Sequence, residues 1–311
     1  MALPSPSAAA DFQIFACEPE WAALAREVGG DKVDAFSATH ARQDPHHIRA
    51  RPSLISKIRR ADLVFCSGAD LEVGWLPLLL RRGARSGVQP GTTGYLMAAD
   101  HVPVLEKPAI VDRSLGDVHP GGNPHVHLDP RNLLTLADEL AQRLIELDPL
   151  NSNYYRTRLG SFKKNWKAAM DRWRIRIRKL SGLQIVVHHK SFTYLNNWIG
   201  LNEVNTLEVK PGIPPTASHL NDLLKTALSS NVKVILRAPY DPVDASEWLS
   251  SKSGIPELVL PYTVKKAAAP GELSLMFDKT IALLEKVHAG SSGYRNHTAG
   301  NSRRANDRLD P

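Results

Sequence analysis

The chain has 311 residues, 42% of them hydrophobic, enough to bury a core in one large or two medium domains. No apolar run approaches the roughly 18 residues of a membrane span. The net charge of +7 is concentrated, since ten Lys/Arg and one acid lie between Asn151 and Leu180. No aromatic-interleaved basic groove or nucleic-acid motif accompanies that stripe. It reads as a solvated helix face with at most a docking role, and nucleic acid is not an expected partner.

The amino terminus, MALPSPSAAADFQIF, lacks a basic n-region and an apolar h-region. Ser7-Ala8-Ala9-Ala10 is similar to the end of an export signal, so a trimmed signal and a plain terminus both fit. FQIFAC then predicts a strand and the segment from Pro19 a helix, with Gly29 past its end. DKVDAFSA predicts a second strand, Pro52 to Ile58 a helix opened by proline, ADLVFCSG a third strand, and LEVGWLPLLLRRG another helix. Cys17 and Cys66 each sit near the end of an apolar run. Buried thiols are the simpler reading, and a single disulfide is the alternative.

Farther on, Asp129 and Pro130 predict an N-cap and first turn. From Tyr155 through Leu159, Phe162, Trp166, Ala169, Trp173 and Ile177 to Leu180, apolar residues recur every three or four positions. They form one stripe on a helix about 45 Å long. LQIVVHH begins a second alternation: strand, short helix SFTYLNNWIG, strand EVNTLEV, helix Thr216 to Ser229 and strand VKVILRA. A helix from Val243 to Ser250, strand ELVLPY and a helix from Glu272 to Val287 complete it. The expected fold is α/β: two parallel-sheet lobes, residues 11–150 and 182–289, joined by one long helix over 151–181. A Gly/Ser/Asn-rich tail over 290–311 is expected to be disordered.

Several of the 12 histidines fall at one kind of place. His46 and His47 follow the second strand. His125 and His127 precede the helix at Pro130. His188 and His189 end the LQIVV strand. Ligands of open α/β sheets bind outside the carboxyl ends of strands, and imidazole is the common ligand of zinc. Three such pairs, split between two lobes, predict one metal site in an interlobe cleft.

The segment DPHHIRARPSLISKIRRADLVFCSG resembles the first metal-binding segment of the zinc/manganese-binding solute-binding proteins of ABC transporters, the cluster A-I family. Asp44-Pro45-His46, Pro52-Ser53, Ala61-Asp62-Leu63-Val64, Gly68, Leu71-Glu72 and Trp75-Leu76 carry that likeness. NPHVHLDPRN resembles the second segment, which places His125 at a ligand position. DPLNSNYYRTRLGSF resembles the entry to the long backbone helix. VVHHKSFTYL resembles a third segment and selects His189 over His188. The likeness runs from about residue 12 to 288, with its motifs in order. It implies a monomeric periplasmic or otherwise extracytoplasmic protein that captures Zn²⁺, or less readily Mn²⁺, as cargo. His46, His125 and His189 would hold the ion, and a membrane permease would receive it.

The chain departs from the family pattern at LPYTVKK, where Thr263 stands near the usual acidic ligand. Glu208 and Asp241 are candidates to replace it, and Glu208 also reads as an exposed strand-end carboxylate. His119, in GDVHPGGN, reads as a loop histidine or an auxiliary ligand. His127 replaces the usual aromatic residue and, by alternation, points away from His125, as a supporting or exposed side chain. Two other functions share these residues. One is a metal-dependent hydrolase with a water-completed three-histidine zinc centre, for which HVHLDP is similar to the metallo-β-lactamase ligand run with Pro130 in place of its last histidine. The other is a metal-regulated adhesion module.

Overall fold

The computed structural model describes residues 12–108, 119–267 and 269–301, with backbone alone from 291 onward. Strands β1 (Phe12–Ala16), β2 (Val33–Ser37), β3 (Leu63–Cys66) and β4 (Tyr95–Met97) form one parallel sheet in the order β2-β1-β3-β4. A second parallel sheet repeats this arrangement with β5 (Gln184–Val187), β6 (Asn202–Thr206), β7 (Val234–Arg237) and β8 (Glu257–Val259), in the order β6-β5-β7-β8. The alternation of short apolar runs with helices thus yields the expected two-sheet α/β fold. β4 is the strand the sequence does not announce. Its three residues, YLM, are too short for any periodicity to register.

The chain divides into two compact units. The first takes in the described residues up to Lys107, His119–Ala168 and Thr263–Leu273, and the second takes in Ala169–Tyr262 and the chain from Ser274. The long helix is therefore shared between the units rather than standing apart, and a late segment returns to the first. No helix among the described residues is long and apolar enough to cross a membrane.

In the first unit, α1 (Pro19–Gly29), α2 (Pro52–Ile58), α3 (Leu76–Gly83) and α4 (Pro130–Leu147) surround the sheet. Gly30, not Gly29, takes the positive φ (58°) that ends α1. Asp129 caps α4 as expected, accepting from the Arg131 N–H at 2.9 Å. α5 (Ser152–Ile177) continues into a 3₁₀ turn over Arg178–Leu180. Its predicted stripe is buried at Tyr155, Phe162, Trp166, Ala169, Trp173, Ile177 and Leu180. The indole N–H of Trp166 donates to the Pro130 carbonyl at 2.8 Å, and that of Trp173 to Asp278 at 2.9 Å, so both rings enter the core with their polar atom satisfied.

In the second unit, α6 (Thr193–Ile199), α7 (Ala217–Ser229) and α8 (Asp244–Ser253) alternate with the strands. α6 stops at Gly200, whose φ of 81° only glycine adopts readily. The last helix, α9 (Glu272–Asn301), continues past the Val287 expected from the sequence. No proline interrupts this stretch, and isolated glycines cost about 1 kcal/mol each without stopping a helix. Residues 302–311 of the expected tail lie outside the described residues.

Cys17, just after β1, and Cys66, the last residue of β3, are joined in a disulfide, with Cα atoms 4.8 Å apart. This corrects the reading as buried thiols. The pairing follows from the adjacency of β1 and β3, which a separation of 49 residues does not reveal. Cys17, Cys66 and Glu72 lie close enough to hold a metal between them, but both sulfurs are committed to the disulfide.

Beside this bond lie two buried carboxyls. Glu72 accepts from the Ser67 and Gly68 N–H groups at 2.8 and 3.1 Å, while Glu18 accepts from the Ser67 hydroxyl at 3.0 Å. Burial raises Glu72 to about 7. Burial, then the charges of Glu72 and Glu20, raise Glu18 well above the ordinary carboxylate value of 4.5. Folded carboxyls that hold protons more tightly than unfolded ones make stability fall as pH rises, here from 4.5 upward through about 7. Glu18→Gln keeps the shape of the side chain without the titration. It is expected to stabilise the protein by about 1–2 kcal/mol near pH 8 and to flatten the dependence of Tm on pH, as thermal melts would show.

Candidate metal centre

In the first unit, the loop after β2 carries His46. The Asp44 carboxylate accepts from the His46 backbone N–H at 2.9 Å and pairs with ring Nδ1 at 2.6 Å. The indole of Trp75, itself buried, donates to the Pro45 carbonyl at 3.0 Å and fixes the same loop. With Nδ1 committed to a carboxylate, Nε2 is the atom His46 could offer a metal, the bracing usual for metal-binding imidazoles.

His125 stands before a 3₁₀ turn over Val126–Leu128 that leads into α4. Its backbone N–H donates to the Asn123 side chain at 3.0 Å, and it is 1% exposed. The rings of His46 and His125 meet edge to face with centroids 5.7 Å apart, and a ring nitrogen of each lies within 4.8 Å of the other. The unit thus brings together two histidines 79 residues apart in sequence. His119 joins them, its Nε2 3.1 Å from that of His46. His47 is 67% exposed and 3.9 Å from Asp44.

His127 points elsewhere. It is 1% exposed, so an exposed placement is corrected, and its Nδ1 lies 3.2 Å from the buried Glu20 carboxylate. The Thr263 hydroxyl donates to the same carboxylate. Thr263, expected near the acidic ligand position, is thereby tied to α1 together with His127. These contacts support the packing of the first unit.

In the second unit, His188 and His189 follow β5, where the strand order switches direction and α/β sheets present ligand-binding residues. His189 Nδ1 pairs with Glu208 at 2.7 Å, and Glu208 also accepts from the Gly212 N–H at 3.0 Å. The Glu208 side chain is 14% exposed, which corrects the reading as an exposed carboxylate. It braces His189 as Asp44 braces His46, so that Nε2 is the atom His189 could offer a metal. His188 is buried, and burial lowers its pKa. Asp241 accepts from the Ala238 N–H at 2.7 Å and closes the turn after β7. The carboxylate braces are what the sequence reading lacked. The Asp-x-His spacing at Asp44 offered a signal for one, and nothing local offered a signal for Glu208.

The sequence pattern of a family described as zinc-uptake complex component A, periplasmic (ZnuA), matches residues 14–285. The chain belongs to this family. Among relatives of the ZnuA-family chain is the manganese ABC transporter substrate-binding lipoprotein PsaA of Streptococcus pneumoniae, 22% identical over 272 residues, covering 86% of this chain and 84% of that protein. The iron ABC transporter substrate-binding lipoprotein MtsA of Streptococcus pyogenes serotype M1 is 24% identical over 261 residues, covering 80% and 79%. In fold, the chain is similar to the crystal structure of ZnuA, with a TM-score of 0.72 at 20% identity over 88% of this chain and 99% of that one. It is also similar to FpvC from Pseudomonas aeruginosa in complex with Mn²⁺, with a TM-score of 0.74 at 20% identity over 90% and 99%.

Membership of the ZnuA family makes the chain a metal-binding solute-binding protein of an ABC transporter, with a membrane permease as its partner, and not an enzyme. The hydrolase reading is set aside. The relatives are named for manganese and iron and the family for zinc, so membership gives a divalent metal as cargo without choosing among them.

Proposed function

We propose that this protein captures Zn²⁺ outside the inner membrane and delivers it to its permease, with His46, His125 and His189 as ligands. The observation that carries the reading is the use of carboxylates as braces rather than donors. Asp44 and Glu208 each engage an Nδ1 atom, so the metal is offered imidazole nitrogens. Imidazole sites suit zinc, whereas manganese favours carboxylate and water oxygens. The disulfide supports an oxidising, extracytoplasmic setting, as do a family described as periplasmic and relatives named as lipoproteins.

Parallel calorimetric titrations of chelator-stripped protein with Zn²⁺, Mn²⁺ and Fe²⁺ test the choice of metal. The expected result is one tight zinc site and manganese binding weaker by at least about 100-fold. Manganese or iron binding as tight as zinc would overturn the assignment. Asp44→Asn, which removes the charge from one brace, is expected to weaken zinc roughly 10-fold in the same titration.

A further inference from the structure

Thr263 is tied to Glu20, and Glu208 is occupied with His189. Zinc takes about four ligands, one more than His46, His125 and His189 supply. The first unit carries another imidazole at the same point. His119 Nε2 lies 3.1 Å from His46 Nε2, with ring centroids 5.1 Å apart. Two nitrogens bound to one tetrahedral zinc at about 2.0–2.1 Å stand about 3.3 Å from each other. This pair is already near the spacing that shared ligation demands.

The chain after His119 holds it there. The Gly122 N–H donates to the His119 carbonyl at 2.9 Å, and the Gly121 N–H donates to Asp70 at 3.3 Å. A Cβ on Gly121 would stand 2.9 Å from the Ala69 Cα. One on Gly122, at φ +97°, would stand 2.5 Å from Val104 Cγ1 and 2.8 Å from the Leu105 carbonyl. The two glycines let the turn press against the segments on either side, and His119 is thereby seated over His46.

We propose that His119 is the fourth ligand, completing an all-imidazole set that favours zinc and similar borderline metals over manganese. This rests on the proposed zinc-capture reading. It assigns to a turn beside His125 the position that the family fills from the Thr263 segment.

The test uses the full chain, with Zn²⁺ affinity measured by chelator competition and Co²⁺ as a spectroscopic probe, for the parent, His119→Ala and His119→Gln. Both variants are expected to lose at least about 10-fold in zinc affinity while manganese affinity changes little. The intense visible bands of four-coordinate Co²⁺ should shift in both, as a nitrogen donor gives way to water or amide oxygen. Unchanged zinc affinity and Co²⁺ spectra, with tight binding in the parent, would overturn the role of His119 and leave the capture reading intact. Weaker zinc binding with an unchanged Co²⁺ spectrum would make His119 a positioning residue and also overturn the proposal. Absence of tight zinc binding in the parent would overturn both.

Discussion

His125→Ala is expected to weaken zinc binding by at least about 100-fold, close to 3 kcal/mol. The ring is buried at 1% exposure, with its backbone held by Asn123, and it lies edge to face with His46. Truncation would remove one of the three proposed ligands. His127→Ala is the control. His127 is equally buried, yet it pairs with Glu20, so its removal should leave zinc affinity unchanged while costing about 2 kcal/mol of stability. Competition titrations and urea melts on the two variants would separate the roles. Equal loss of zinc in both would show that the two histidines had been wrongly distinguished.

The second large effect concerns the disulfide. Cross-linking residues 49 apart in sequence removes loop-closure entropy from the unfolded chain worth about 4 kcal/mol. The Cys17→Ala/Cys66→Ala double variant is therefore expected to unfold at distinctly lower urea than the oxidised parent, and reduced parent should resemble the variant. Both cysteines sit in the apolar cluster with Trp75, whose indole holds the Pro45 carbonyl. Loosening this core should also weaken the hold on the His46 loop. Coincident urea midpoints for oxidised and reduced parent would contradict the assigned bond.

Much of the fold was legible because its signals are local. The β1, β3 and β5 runs are apolar as strands of a parallel sheet must be. Pro19, Pro52 and Pro130 mark first turns, and the stripe from Tyr155 to Leu180 fixes the long helix. The histidines were legible as strand-end and helix-start pairs, and the order of their motifs pointed to the family. What stayed hidden depends on long-range adjacency. The Cys17–Cys66 pairing needs β1 beside β3, the tie from Thr263 to Glu20 crosses 243 residues, and the approach of His119 to His46 crosses 73. The raised pKa values of Glu18 and Glu72 likewise arise only once burial brings two carboxyls together.

The central claim is that His46, His125 and His189 hold one metal ion. Zinc stoichiometry and affinity for the parent and the single variants His46→Ala, His125→Ala and His189→Ala, measured together by calorimetry, test it most directly. One ion per chain in the parent, with the same site lost or sharply weakened in all three variants, is the predicted result. Tight zinc binding that survives His189→Ala unchanged would contradict the claim.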